Sequence, residues 1–253
     1  IDVEINRCIR NGDLLRADSL LNSKGKLDRR ISNYLEEAQL VANAEKELEK
    51  AKRRLSARKS NLQQIKKNLA VDLFNKYAIS LGRFDQDSAE FYILARASLD
   101  TTNVDWQIDA GYFLENYSGK YQEAYDLYMR TLRIAEQNDS NSDAVGNIYN
   151  SLGILMHSLG QYPDAIQFLN KAKELYGLNP NPYHPNKAAV RNNIAGVYGS
   201  LMQADSMLVY AQEALLINQT NFGEMSEECA FNWNMIANAY DIQGDSISKK
   251  ETF

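Results

Sequence analysis

Three asparagines recur at a fixed interval in the C-terminal half of the chain. Asn150, Asn192 and Asn234 are each 42 residues apart. A carboxamide side chain both donates and accepts hydrogen bonds, so it can bind the N–H and C=O groups of another backbone. If the interval marks a structural repeat, the same side chains could instead help to pack the repeats together. The sequence leaves both roles, ligand binding and packing, open.

Residues that could perform catalysis or bind a metal follow no known pattern. The chain has two histidines, His157 and His184, and two cysteines that lie far apart in the sequence. Gly119 and Lys120 lack the earlier glycine and the following Ser or Thr of a phosphate-binding loop. The sequence therefore predicts no enzyme, no catalytic residue, no metal site and no cofactor.

The interval of the asparagines belongs to a longer repeat. Small residues follow the same 42-residue period, and a turn residue comes several positions after each of them. Small side chains let two helix backbones approach closely, and one helix pair cannot bury its apolar face alone. The pattern predicts antiparallel helix pairs that stack on their neighbours. The small residues are Gly111, Gly153, Ala195 and Ala237, and the turn residues are Gly119, Gly160, Met202 and Gly244.

The repeat resembles the tetratricopeptide repeat (TPR). The second unit, around "YNSLGILMHSLGQYPDA", matches its small–turn–small spacing with Gly153, Gly160, Ala165 and Ala172, whereas Met202 and Met207 depart from it in the next unit. The long period and "YHPNKAAVRNNIAGVY" are similar to the kinesin light chain subtype. The resemblance implies an all-α fold, a right-handed TPR solenoid over residues 81–253. Its units would be about 81–103, 104–143, 144–185, 186–227 and an incomplete 228–253.

In TPR proteins the first helix of each unit lines the concave surface, so the resemblance also implies a peptide-binding groove. The implied groove lacks the lysines with which chaperone-binding TPRs hold a C-terminal carboxylate. Its ligand would then be a neutral or mixed peptide, or a domain of the same polypeptide. The candidate residues are Asn150, Asn192, Asn234, Asn147, His157, Phe231, Asn238 and Asp241, with Ile154, Ala189, Gly196 and Gly199 beside them.

Residues 26–80 follow a different pattern, which predicts one long, heptad-bearing helix. No Gly or Pro interrupts it, but its second apolar position is patchy, and Arg58 falls on it. Three arrangements stay open: weak self-association through residues 27–69, docking on the TPR body or a neighbouring helix, and a break into a hairpin. The heptad positions are Leu27, Tyr34, Val41, Leu48, Leu55, Leu62 and Leu69.

The N-terminal segment and the charge pattern add two expectations. Residues 1–25 contain Gly12 and Ala17 at a repeat-like spacing, which predicts a short helical hairpin or partial repeat. The chain has a net charge of -5, yet six of the ten residues in "KAKRRLSARK" at 50–59 are basic. No aromatic residue interleaves them and no DNA-binding motif surrounds them, which favours a solvated helix face over a nucleic-acid site.

The sequence predicts a non-catalytic scaffold that binds a peptide or partner domain in the groove. The alternative is a regulatory or sensor module that controls an output domain absent from this chain. No apolar run approaches the roughly 18 residues of a membrane span. The chain begins at Ile1, and it is interpreted as a soluble fragment or processed form, with export and a cytoplasmic location both open.

Overall fold

The structure, a computed structural model, describes residues 2–139 and 142–251. In that part the chain forms eleven α-helices and one 3-10 helix, without a strand, so the all-α prediction is confirmed. Packing divides the chain into two compact units, Ile1–Lys67 and Asn68–Phe253. The first is called the N-terminal unit below, and the second is called the repeat array.

The N-terminal unit starts with a helical hairpin. Helix α1 (Asp2–Arg10) packs on α2 (Leu14–Asn22), and they bury Ile5, Cys8 and Ala17 between them. Gly12 lies in the turn at φ +75, in the left-handed region that favours glycine. The carboxylate of Asp13 then caps α2 by accepting a hydrogen bond from the backbone N–H of Arg16 at 3.2 Å.

Helix α3 follows a short 3-10 turn and runs unbroken over Lys26–Gly82. It does not break into a hairpin, which was one of the three arrangements left open. Its residues 27–65 are exposed, including the heptad residues Leu48 and Leu55, which retain 55% and 54% of their accessible surface. The side chains of this segment therefore contribute little to the core of the N-terminal unit.

The repeat array is a solenoid of helix pairs. In each of three successive pairs the two helices pack side by side, and each pair contacts the next. These pairs are called repeats 1, 2 and 3, and their helices are α5 (Val104–Asn116) with α6 (Tyr121–Asp139), α7 (Asp143–Ser158) with α8 (Tyr162–Gly177), and α9 (Pro185–Ser200) with α10 (Ala204–Phe222). Before them lies α4 (Gln86–Ser98), and after them α11 (Glu227–Glu251).

The array begins earlier than the predicted boundary between residues 80 and 81. The last part of α3 belongs to it, since Ala70 is buried and Tyr77 packs on the core formed by α4 and α5. The guanidinium of Arg96 on α4 lies 4.6 Å from the ring centroid of Phe74 and 5.2 Å from that of Trp106. Helix α3 is continuous across the start of the array at Asn68, so no helix-ending residue marks that start in the sequence.

Left-handed residues form the turns within the helix pairs. Gly119 and Gly160 have φ of +64 and +72, as expected for turn glycines. Met202 takes the same conformation at φ 56, and so does Phe84 between α3 and α4 at φ 60. An L side chain is strained there by about 1–2 kcal/mol, so these two turns form against the local preference of their residues.

Small residues lie where the two helices of a repeat cross. A Cβ atom on Gly153 would be 2.5 Å from Cγ of Leu169, and one on Gly111 would overlap the ring of Tyr128. Repeat 3 reverses the sizes, because Met207 occupies the alanine position. Its sulfur would lie 3.0 Å from a Cβ on Gly199, so the facing glycine accommodates the larger side chain.

The C-terminal end departs from the repeat pattern. The turn predicted at Gly244 is absent, because α11 continues through that residue. Within the described ranges 2–139 and 142–251 no helix follows α11 to form a pair with it, and the side chains that would contact such a helix are exposed. Trp233 and Tyr240 retain 52% and 54% of their surface, and Ala237 is exposed too.

Candidate functional site

The first helices of the repeats form one continuous face. Helices α5, α7, α9 and α11 contact each other in that order along the array. Their side chains that point away from α6, α8 and α10 are exposed or half-buried, and this surface is called the first-helix face. All eight predicted groove residues lie on α7, α9 or α11.

Asparagines link the first helices across the repeat boundaries. The Nδ2 group of Asn193 on α9 donates a hydrogen bond of 2.8 Å to Oδ1 of Asn150 on α7. In the same way, Nδ2 of Asn232 on α11 donates one of 2.6 Å to Oδ1 of Asn192 on α9. Two of the three periodic asparagines therefore accept a bond from the following helix, and both are half-buried.

Asn232 connects three helices. Its side chain is fully buried, and its Oδ1 accepts a hydrogen bond of 2.8 Å from Nδ2 of Asn218 on α10. Asn147 plays a related part in repeat 2, since its Oδ1 accepts from the hydroxyl of Tyr176 at 2.7 Å and from Nδ2 of Asn186 at 3.1 Å. These amides join neighbouring repeats while their helices keep one face towards solvent.

A second row of hydrogen bonds runs beside the asparagines. Ser158 Oγ on α7 donates to Oε1 of Glu115 on α5 at 2.9 Å. One repeat further on, Nε2 of His157 and Oγ of Ser200 are 2.8 Å apart. Both contacts, like that of Asn150 with Asn193, join residues 43 positions apart in the chain. The same geometry is thus repeated at successive boundaries.

Burial perturbs the two titratable members of this row. Glu115 retains 3% of its surface, and desolvation raises the pKa of its carboxyl despite the hydrogen bond from Ser158. Desolvation also lowers the pKa of His157, which favours the neutral imidazole. Desolvation therefore favours the neutral form of both side chains.

The α11 end of the face is the most accessible part. Asn234, Asn238 and Asp241 are exposed, and Phe231 retains 56% of its surface. These four predicted residues occupy one helix side at spacings of three and four residues. Asn234 therefore differs from Asn150 and Asn192, because no later helix in the described residues covers it.

Some of the predicted neighbours lie elsewhere, and several important residues were missed. Gly199 faces α10 rather than the first-helix face, because a Cβ there would meet Met207. A Cβ on Gly196 would instead lie 3.7 Å from Cε1 of His157 on the preceding first helix, which places Gly196 at a repeat boundary. The missed residues are Asn193, Asn232, Glu115, Ser158 and Ser200. Of these, Ser158 and Ser200 share the 42-residue interval and could have been found by it.

Other features offer little for chemistry. Among the described residues, no group of three His, Cys, Asp or Glu side chains could hold a metal ion, and no helix is long and apolar enough to cross a membrane. Three surface clefts of about 540, 560 and 490 Å³ lie mainly along the second helices α6, α8 and α10. The periodic asparagines do not line any of these three.

Comparison with known proteins identifies the repeats. Residues 110–177 match the sequence model of the tetratricopeptide repeat. Two curated relatives from Arabidopsis thaliana, the proteins kinesin light chain-related 3 and 2, are each 22% identical over 106 and 111 residues. These matches cover 42% and 44% of this chain, but only 16% and 17% of the relatives.

Solved structures show the same fold. BtubC (BKLC) from P. vanneervenii superposes with a TM-score of 0.57 at 22% identity, over 67% of this chain and 70% of that one. The TPR-like repeats of a Podosopora anserina protein described as a kinesin light chain superpose with a TM-score of 0.55 at 14% identity. That match covers 72% of this chain and 92% of the other.

Proposed function

We propose that this chain, which contains tetratricopeptide repeats and has the fold of kinesin-light-chain-like repeat proteins, binds an extended segment of a partner protein on its first-helix face. Tetratricopeptide repeats are generally protein–protein interaction modules, and this fold is typically a non-enzymatic scaffold. The repeats support a role in protein binding, and the side chains of the first-helix face support the position of the ligand.

The orientation of the amides carries the proposal. Asn150 and Asn192 use Oδ1 to accept a hydrogen bond from the next first helix. Their Nδ2 groups donate no hydrogen bond to the rest of the described chain, so two N–H donors remain on each. A fixed N–H donor at the edge of a groove is suited to the carbonyl oxygens of a peptide backbone.

The spacing of the helices fits an extended ligand. Packed helices lie about 8–10 Å apart, and an extended chain advances about 3.3 Å per residue. Asparagines on successive first helices would therefore meet carbonyl groups about three residues apart. Asn234 supports the same proposal, because its exposed amide continues the series at the open end.

The charges favour a neutral or basic ligand. Asp105 and Asp241 are exposed on α5 and α11. The two basic side chains of α9 are engaged elsewhere, since Nζ of Lys187 donates to the carbonyl of Asn179 and Nε of Arg191 donates to Glu213. A ligand with basic side chains would meet carboxylates on this face, and an apolar side chain could contact the exposed ring of Phe231.

Selection of peptides tests the proposal. A phage-displayed library of random peptides about twelve residues long, long enough for all three asparagines, would be selected on the chain. Binding of the selected peptides would then be measured by fluorescence polarisation. We expect Asn234→Ala to weaken binding about two- to tenfold, the value of one net hydrogen bond, while the melting temperature stays unchanged.

Gln167→Ala provides the matched control, because Gln167 is an exposed amide on the second helix α8. It should leave both binding and stability unchanged. Selected peptides that bind Asn234→Ala as tightly as the wild type, but lose affinity with Gln167→Ala, would place the ligand on the opposite face and contradict the proposal.

A further inference from the structure

An apolar stripe follows one side of α3 within the N-terminal unit. Its residues alternate in steps of three and four, the spacing of positions a and d of a coiled coil. The stripe is exposed, with 56%, 55% and 54% of the surface remaining on Val41, Leu48 and Leu55. We call it the α3 seam. Its apolar residues are Val41, Ala44, Leu48, Ala51 and Leu55, and Arg58 occupies the next position.

Charge is separated along the same helix. Residues 36–49 contain five acidic side chains and one basic side chain, whereas residues 50–67 contain eight basic side chains and no acidic one. The intrahelical pairs Glu47–Lys50 and Glu49–Lys52, at 2.7 and 2.8 Å, are exposed. Exposed pairs of this kind contribute little and can be exchanged for pairs with another molecule.

We propose that the α3 seam binds the α3 seam of a second copy of the chain, with the two helices antiparallel. That orientation sets the acidic segment of each helix against the basic segment of the other. A parallel pair would set acidic against acidic and basic against basic, and like charges across an interface oppose association. The two-fold axis lies between Glu49 and Lys50.

The register follows from the sizes of the seam residues. About this axis Leu48 faces Ala51 of the second copy, and Leu55 faces Ala44. Each large side chain meets a small one, so the two backbones can approach closely. Val41 faces the aliphatic stem of Arg58, whose guanidinium can extend to water at the edge of the seam.

The flanking residues agree with this register. Positions e and g of an antiparallel pair bring Glu45 beside Lys52 of the second copy, and Glu47 beside Arg54. Symmetry repeats each pair, so four attractive contacts flank the seam. In a parallel pair Glu47 would flank Lys52, but Arg54 would flank Lys59, and Arg58 would face its own copy inside the seam. The antiparallel register has four attractive contacts and no such repulsion. The charges therefore select the antiparallel orientation.

This inference does not depend on the proposed function, because the seam belongs to the N-terminal unit and the first-helix face belongs to the repeat array. Sedimentation equilibrium of the full chain over a wide concentration series should show a reversible monomer–dimer equilibrium. The dimer should weaken with added salt, since its orientation rests on exposed charges. A chain that stays monomeric at every concentration would overturn the proposal.

Charge reversal tests the flanking contacts. We expect Glu45→Lys with Glu47→Lys to raise the dimer Kd at least about tenfold, because all four pairs become repulsive. Lys52→Glu with Arg54→Glu should do the same, and an equimolar mixture of the two double variants should dimerise again. Circular dichroism checks that both remain helical. Failure of the mixture to associate would contradict this register.

Disulfide trapping tests the orientation. Val41→Cys and Arg58→Cys variants, mixed and oxidised, should form a mixed crosslink, whereas Arg58→Cys alone should not crosslink. In the antiparallel register the two residues 58 are about 25 Å apart along the helices. Efficient crosslinking of Arg58→Cys with itself would show a parallel pair and overturn the proposal. Wild type, whose Cys8 and Cys229 are buried, gives the background.

Discussion

At the scale of single residues, glycine has two different roles in the first helices. Gly153 is required by close packing, because a Cβ there would lie 2.5 Å from Cγ of Leu169 and 3.3 Å from the carbonyl oxygen of Ala165. Gly196 also lies inside a helix, but a Cβ there would make an ordinary contact of 3.7 Å with His157. The two positions therefore form a matched pair for substitution.

We expect Gly153→Ala to lower the free energy of unfolding by about 1–3 kcal/mol, since a methyl group must displace a packed neighbour. Gly196→Ala should raise it by about 0.5–1 kcal/mol, because alanine is the better helix former and nothing needs to move. Urea unfolding at constant temperature measures both. Equal effects of the two substitutions would show that the distance between crossing helices does not determine where the repeats need glycine.

Glu115 gives the array a pH-dependent stability. Burial raises the pKa of its carboxyl in the folded state, so folding favours the protonated form. Its favourable contribution is fully present below the unfolded pKa, near 4.5, and is lost as pH rises through the folded pKa. Glu115→Gln keeps an oxygen that accepts the hydrogen bond of Ser158 but removes the buried charge.

The Glu115→Gln variant should therefore melt higher than the wild type at about pH 8, and the difference should vanish at about pH 4. Thermal melts followed by circular dichroism across this range measure the effect. Glu174→Gln, at an exposed position of α8, is the control and should show no such trend. A variant that melts lower than the wild type at pH 8 would mean that the ionised carboxylate stabilises the fold.

At the scale of helices, the array depends on polar contacts as well as on apolar burial. Asn232 is fully buried and bonds to Asn192 and Asn218, so one side chain joins α9, α10 and α11. Helix α11 lacks a second helix of its own in the described chain. It packs instead on α9 and α10 of repeat 3.

Asn232→Ala should lower the free energy of unfolding by about 1–3 kcal/mol, because it leaves the buried amide of Asn218 without its acceptor. Asn238→Ala, at an exposed position of the same helix, should stay within about 0.5 kcal/mol of the wild type. Chemical unfolding gives these values, and hydrogen exchange should show faster exchange in α11 of the first variant. Unchanged exchange there would show that apolar contacts alone hold the helix.

At the scale of the whole molecule, periodicity in the sequence predicted the contacts within a repeat better than the contacts between repeats. Gly153 and Ala172 were predictable, because each repeat supplies its own helix crossing. Asn232 was not, since its partners lie 14 and 40 residues away and its position carries no asparagine in the earlier repeats. The start of the array could not be predicted either, because α3 continues across it without a helix end.

Two departures from the prediction have the same physical cause. Gly199 and Gly244 were interpreted from their positions in the repeat, yet the role of each depends on the neighbour that it meets. Gly199 faces Met207, a large residue where the repeat has alanine. Gly244 lies inside α11, and the helix continues through it where the repeat has a turn. The position of a residue in the repeat does not specify which side chains surround it in the fold.

The row formed by Glu115, Ser158, His157 and Ser200 also bears on how such a chain can evolve in length. The first helices α5 and α7 each contact a serine of the next first helix, 43 residues along the chain, through Glu115 and His157. Loss of one 42-residue period, for example 144–185, would bring Ser200 into the place of Ser158 beside Glu115. The same kind of hydrogen bond would form again. The array can therefore lose or gain a whole repeat without needing a new type of contact at the boundary between repeats.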